Sequence, residues 1–349
     1  MKASFHKYLL DFKRPGGTSR GVLHQKETYF LSIRAAAKTG VGECGLFRGL
    51  SYDDRPDYED KLQWLCDNIN ADQESLFQEL KEFPSIQFGL EQALLSLASQ
   101  DKYELFPSNF SKGLDCIPIN GLIWMGAESF MNEQISNKLK EGFTTLKMKI
   151  GAIDFQTELE ILKGIRNQYD PSELELRVDV NGAFSMENAL EKLEKLAVFG
   201  IHSIEQPIKA GQIEAMRELC SSSPIPIALD EELIGVLEKE QKRALLVSIN
   251  PQYIILKPSL VGGFKGSREW IEMAEALGIG WWITSALESN IGLNAIAQFT
   301  YTLKNELPQG LGTGALFSNN IEAPLFVSAG ELGYDSTHNW GDLKQFLNE

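Results

Sequence analysis

Two lysines one residue apart, Lys147 and Lys149 in Thr-Leu-Lys-Met-Lys-Ile, are the first residues whose types and spacing suggest chemistry. Side chains alternate along a β-strand, so both lysines share one face while Leu146, Met148 and Ile150 share the other. Two ammonium groups on an interior face are costly unless anions or a reaction need them. Solvated lysines on an edge strand are the plain alternative, and residues farther along the chain argue against it.

Polar residues recur at the ends of the following apolar runs: Asp179 with Asn181, then Glu205, Asp230, Lys257 and Ser285. From Lys149 the steps are 30, 26, 25, 27 and 28 residues, each close to one strand-helix unit. Any one of these acids alone is as easily a helix cap or a solvated loop charge. Together they place charge at the carboxyl ends of consecutive strands, where barrel enzymes build their sites. In an eight-strand ring the strands bearing Lys149 and Lys257 stand opposite each other. Asp179, Glu205 and Asp230 span the arc between them. Three converging carboxylates repel one another and take up protons unless a cation joins them. The all-oxygen donor set points to Mg²⁺, with Mn²⁺ as a substitute, and the lack of His or Cys beside it argues against zinc. Lysines flanking such a cation suggest abstraction of a weakly acidic proton next to a carboxylate.

These residues need a scaffold. From residue 117 onward, strand candidates at 117–124, 145–150, 174–180, 203–206, 225–230, 253–258, 280–285 and 309–315 alternate with amphipathic helical stretches. That rhythm predicts an α/β (β/α) TIM-type barrel, with a doubly wound sheet as the alternative. Residues 1–115 read instead as strands followed by helices, an α+β unit. Strands are expected over 2–12 and 27–37, joined by a Gly-rich polar loop over 13–26, with helices from Tyr58 and over 85–97.

Composition narrows the function. A net charge of -15 disfavours nucleic acid and anionic membranes as partners. The N-terminal residues lack the apolar run of a signal peptide, and no stretch has the length of a membrane span. Cys44, Cys66, Cys116 and Cys220 are scattered, as in a reducing, cytoplasmic setting. Gly310, Gly312 and Gly314 do not complete a dinucleotide fingerprint. His6, His24, His202 and His338 have no ligand spacing, and Trp281 and Trp282 read as core. Glu288, just past a strand, reads as a helix cap or as a group that orients Lys257.

The Lys-x-Lys strand, the Asp179, Glu205, Asp230 series and Lys257 in Leu-Lys-Pro-Ser resemble the muconate-lactonising branch of the enolase superfamily. The likeness extends from Gly-Glu-Cys-Gly-Leu-Phe-Arg-Gly-Leu at 42–50, through Thr-Ser-Ala-Leu-Glu-Ser-Asn-Ile-Gly-Leu at 284–293, to Gln-Gly-Leu-Gly-Thr-Gly at 309–314. It implies a (β/α)7β barrel over 116–325 under an N-terminal α+β capping domain over 1–115, completed by the tail at 326–349. It also implies a lyase of menaquinone biosynthesis that dehydrates 2-succinyl-6-hydroxy-2,4-cyclohexadiene-1-carboxylate to 2-succinylbenzoate. In that scheme Asp179, Glu205 and Asp230 hold Mg²⁺ and Lys149 moves the proton. Lys147 tunes it, and Lys257 stabilises the enolate. Ser285, Ser259, Gly312, Gly314, Asn181 and a lid residue, Arg20, are the expected contacts for a small dicarboxylate substrate. The alternative within the branch is an N-succinylamino acid racemase or a dipeptide epimerase. An acid pair expected of the epimerase is missing from 309–315. A silent scaffold protein is disfavoured because all three acids and all three lysines are present. Nothing in the sequence fixes an oligomeric state.

Overall fold

In the computed structural model, which describes residues 1–18 and 21–343, the chain opens with a three-stranded antiparallel sheet. Strand β1 (Lys2–Thr18) pairs with β2 (Gly21–Ala35), and β2 pairs with β3 (Lys38–Cys44). The expected loop over 13–26 is instead the far half of this hairpin, which shifts register between Asp11 and Gly16 and then pairs on to Thr18 and Gly21. Its glycines serve close approach. A Cβ on Gly16 would stand 3.1 Å from the Trp124 ring, and one on Gly17 would stand 2.6 Å from the Met125 carbonyl oxygen.

Alternation along β2 sends Tyr29, Leu31 and Ile33 into a core with α1 (Tyr58–Asn68), α2 (Gln73–Glu79) and α3 (Pro84–Ala98). β3 lies almost directly on α3. A Cβ on Gly42 would run into the Gly89 carbonyl oxygen and come within 2.9 Å of Ala93 N.

The chain then runs through β4 (Ile117–Pro118), β5 (Gly121–Ile123), α4 (Glu128–Lys140), β6 (Thr145–Lys149), α5 (Phe155–Arg166) and β7 (Glu175–Asp179). It continues with α6 (Met186–Ala197), β8 (Ser203–Glu205), α7 (Ile213–Ser222), β9 (Ile227–Leu229) and α8 (Lys239–Ile249). The last units are β10 (Tyr253–Leu256), α9 (Gly263–Ala276), β11 (Gly280–Ile283) and α10 (Asn290–Thr302). Strands β5 to β11 form one seven-stranded parallel sheet in sequence order, as short crossover helices require.

The sheet closes on itself, so the doubly wound arrangement does not apply. The eighth strand, expected over 309–315, is carried by Gln309 and Gly310, which bridge to Ile119 and Thr284. Gln309 N donates to Pro118 O at 2.8 Å, Asn120 N to Gln309 O at 2.9 Å, and Gly310 N to Ile283 O at 2.8 Å. The chain then leaves the ring for a 3₁₀ turn at Gly314–Leu316. The architecture is therefore a (β/α)7β TIM-type barrel with an N-terminal α+β capping domain.

The strand expected over 117–124 is split. Its first part, β4, pairs with the late hairpin of β12 (Leu325–Ser328) and β13 (Glu331–Tyr334), and its second part, β5, joins the barrel. Farther on, Trp340 stacks on Tyr103 at 4.2 Å, and Leu343 packs with Phe30 and Val41. Among the described residues, no helix is long and apolar enough to cross a membrane.

Candidate active site

Register assembles the site. In the β6–β7 ladder Lys149 stands beside Asp179, and in the β7–β8 ladder Asp179 stands beside Glu205. Asp230 and Lys257 follow the last residues of β9 and β10 directly. Apolar neighbours on the same strands, Met148, Val178 and Ile204, turn outward into the core against the helices. Behind the acids the backbone bends sharply: Asn181 has φ 47° and Gln206 φ 40°, left-handed values that non-glycine residues seldom adopt.

Each acid is answered by a lysine. Lys149 Nζ donates to Asp179 Oδ2 and to Asn181 Oδ1, both at 2.7 Å. Lys147 Nζ donates to Glu205 Oε2 at 2.8 Å and lies 3.7 Å from Asp179 Oδ2. Lys257 pairs with Asp230. Asn181 Nδ2 in turn donates to Glu231 Oε1 at 3.0 Å. All of these side chains are buried or nearly so, which strengthens every charge interaction among them.

Proton affinities split across the arc. Burial would raise Asp179, but Lys149 and Lys147 outweigh it and hold this carboxyl well below its ordinary range. At the other end, burial pushes Asp230 well up; Lys257 opposes the shift, while Glu231 and Glu205 add to it. Burial pulls Lys257 and Lys147 down, yet the neighbouring carboxylates hold both above the usual lysine value. The Asp230 end thus holds a proton more readily than the Asp179 end.

Among the described residues, no group of three His, Cys, Asp or Glu side chains is drawn together as a cation cage, because the lysines stand between the acids. The donor chemistry nonetheless suits a hard cation. The acids supply only oxygen, and Glu205 Oε1 is buried with no hydrogen-bond partner.

Lys147, Lys149, Asp179, Asn181, Lys257, Ser285 and Gly312 line one cavity, and Glu205 and Asp230 join it through their lysines. Ser285 Oγ shares a 2.6 Å hydrogen bond with Thr313 Oγ1 on the cavity wall. Two residues expected there lie elsewhere. Ser259 is fully buried and spends its hydroxyl on Glu288 Oε1 at 2.5 Å. Gly314 has already left the wall for the 3₁₀ turn, where a Cβ would stand 2.7 Å from Asn290 Oδ1. Arg20 lies outside the described residues.

Sequence reasoning did not find the apolar half of the cavity. Leu23, Phe47 and Leu50 come from the cap, while Leu122, Trp124 and Leu287 come from the barrel. Phe47 and Leu50 sit in the Leu-Phe-Arg-Gly-Leu segment, whose three large apolar residues in a loop were the available signal.

Residues 131–332 match the family described as Enolase C-terminal domain-like. The chain is 48% identical to an o-succinylbenzoate synthase of Desulfotalea psychrophila, with 95% of this chain and 99% of that protein aligned. The crystal structure of MenC from the same species superposes with a TM-score of 0.85 at 44% identity, covering 95% of this chain and 99% of that one. A dipeptide epimerase from Enterococcus faecalis, solved with Mg and a dipeptide, has the same fold at 19% identity. Its TM-score is 0.82, with 95% of this chain and 96% of that one covered. By fold and by near-full-length similarity, the chain belongs to the o-succinylbenzoate synthase family of the enolase superfamily.

Proposed function

We propose that this chain is a lyase that dehydrates 2-succinyl-6-hydroxy-2,4-cyclohexadiene-1-carboxylate to 2-succinylbenzoate, a step of menaquinone biosynthesis in the cytoplasm. The observation that carries the reading is the pair Lys149 and Lys257, which end β6 and follow β10 and line one cavity with Asp179 between them in the ring. The near-full-length relative supports the substrate assignment over racemisation or epimerisation. In this reading residues 1–115 and 326–349 form the cap and 116–325 the catalytic barrel.

Lys149 Nζ takes the proton alpha to the ring carboxylate and returns a proton to the departing hydroxyl on the same face. One C–H and one C–O bond break, water leaves, and the ring becomes aromatic. Lys257, from the other side, stabilises the delocalised negative charge, by charge or by cation-π contact with the ring. Lys147 holds Glu205 and tunes Lys149. Asp179, Glu205 and Asp230 would hold Mg²⁺, or Mn²⁺ in its place, which supplies positive charge to the substrate carboxylate as the enolate forms. Ser285, Gly312 and Asn181 face the substrate, and the apolar wall of Leu23, Phe47 and Trp124 excludes water from the ring.

Loss of diene absorbance with Mg²⁺ present tests this directly, run beside deuterium exchange into N-succinyl amino acids in D₂O. Rapid metal-dependent dehydration with little exchange supports the lyase. Exchange without dehydration overturns it in favour of a racemase.

A further inference from the structure

Cap and barrel meet through buried charge that the proposed reaction does not use. Glu43, in β3, is fully buried and accepts from Thr28 Oγ1 at 2.7 Å, Ser289 N at 2.9 Å, Ser289 Oγ at 2.5 Å and Gly292 N at 2.8 Å. Three of these donors lie at the start of α10, so a cap carboxylate closes a barrel helix. Glu288, from the barrel, is also fully buried and accepts from Ser259 Oγ at 2.5 Å and Ala286 N at 2.7 Å. The two carboxylates are neighbours: a Cβ on Gly292 would stand 2.7 Å from Glu288 Cβ and 2.8 Å from Glu43 Oε2. Gly45 of the cap presses on the same place, its Cβ position 3.0 Å from Glu288 Cγ and 3.1 Å from Ser259 Cβ.

The cation facing this pair is Lys26. It lies on β2 two residues before Thr28, on the same strand face, and is only 5% exposed. Its ammonium has no hydrogen-bond partner among the described residues; burial pulls its pKa below the ordinary lysine value, and the charges of Glu43, Glu288 and Glu27 oppose that shift. A lysine buried in this way contributes its charge, since a methionine would fill the space without the desolvation cost. That charge sits at a junction. Toward the hairpin tip β2 leads to Leu23 on the cavity wall, Ser259 follows Lys257 by two residues, and Ala286 and Leu287 form part of the cavity lip.

We infer that Lys26 is a positioning residue for the active site: its ammonium, set against Glu43 and Glu288, holds the β1–β2 arm over the cavity and fixes the loops that follow β10 and β11. The inference rests on the proposed function only in treating the cavity as the substrate site. Without the lysine, two buried carboxylates from opposite sides of the interface confront each other, and the arm is released.

The test combines hydrogen exchange on the full chain with steady-state kinetics for K26M, K26R and K26M/E288Q. In K26M, amides of residues 10–18 and 21–28 are expected to exchange at least about tenfold faster while β7 to β9 keep their rates. KM for the cyclohexadiene should rise about tenfold with kcat within about threefold, the signature of lost positioning. K26R, which keeps the charge, should restore both, and K26M/E288Q should recover part of each. Wild-type exchange and wild-type KM in K26M overturn the inference. If K26M does not fold, folding of K26M/E288Q supports the pairing, and failure of both beside a normal E288Q overturns it. A wild-type protein without dehydratase turnover would remove the proposed function and leave the exchange result standing.

Discussion

Glu205 gives one carboxylate oxygen, Oε2, to Lys147 Nζ at 2.8 Å and keeps the other, Oε1, buried with no partner. Replacing Glu205 with Gln removes its negative charge and one of its two oxygens and leaves Lys147 facing a neutral amide. Calorimetric titration with Mg²⁺ should show affinity weaker by about 10- to 100-fold or more, the scale on which even outer-sphere changes act. Wild type should also gain about 2.7 kcal/mol of stability at a cation concentration 100 times its Kd, whereas a variant bound about 10- to 100-fold more weakly gains only about 1.4 to 0.4 kcal/mol at the same concentration. Equal Mg²⁺-dependent stabilisation of both proteins would remove Glu205 from the cation site.

Lys149→Ala and Lys257→Ala separate the two faces of the cavity. For a lyase working through one base, Lys149→Ala should lower kcat by about 10²- to 10⁴-fold, with product affinity little changed. Lys257→Ala should slow dehydration through loss of charge stabilisation. With N-succinyl amino acids in D₂O, a racemase would instead show each variant blocking exchange from one enantiomer. That pattern, seen together with no dehydration, would refute the lyase reading.

The cap carries its own pH dependence. Asp53 is fully buried and accepts from Ser85 N at 2.9 Å and Ser85 Oγ at 2.6 Å, while its Oδ1 has no partner. Burial, against the Ser85 hydrogen bonds, pushes its pKa up to about 6 from 3.8. The folded state therefore binds this proton more tightly than the unfolded chain does. Its stabilisation is fully present below about pH 4 and is lost as pH rises through about 6. Asp53→Asn should remove that dependence. Between pH 4 and pH 7 the stability difference between variant and wild type should move in favour of the variant by roughly 3 kcal/mol, read from urea unfolding. A constant difference across that range would refute the shift.

Gly42→Ala tests the contact between β3 and α3. The new methyl meets backbone, at Gly89 O and Ala93 N, and backbone cannot rotate away. A loss of about 1 to 3 kcal/mol or more is expected, as for other overpacked positions, with the cap amides losing exchange protection before those of the barrel. A variant as stable as wild type would show that β3 can lift from the helix at no cost.

Much of this molecule was legible because barrel chemistry is periodic. Asp179, Glu205, Asp230 and Lys257 each end a short apolar run, so one strand-helix unit of spacing carried both the fold and the site. What escaped was non-periodic. The hairpin at 13–26 reads as loop because its glycines signal flexibility in sequence, whereas Gly16 and Gly17 are there to lie against Trp124 and Met125. Ser259 looks like a substrate contact from its place two residues after Lys257, yet its hydroxyl points to Glu288, a partner 29 residues away. Lys26 sat inside that supposed loop, and nothing local distinguishes a buried lysine from a solvated one.

The ring is stitched shut at Gln309 and Gly310, and the wall beside that seam, from Ser285 to Thr313, stands apart from the ladder that carries Lys147, Lys149, Asp179 and Glu205. On the proposed function, proton transfer and molecular fit are therefore carried on different segments of chain. On that same reading, substitutions at Gly312 or Thr313 would recut the recess for a different acyl arm without moving the lysines. A lineage built this way can exchange one carboxylate substrate for another while the enolate-forming apparatus stays intact.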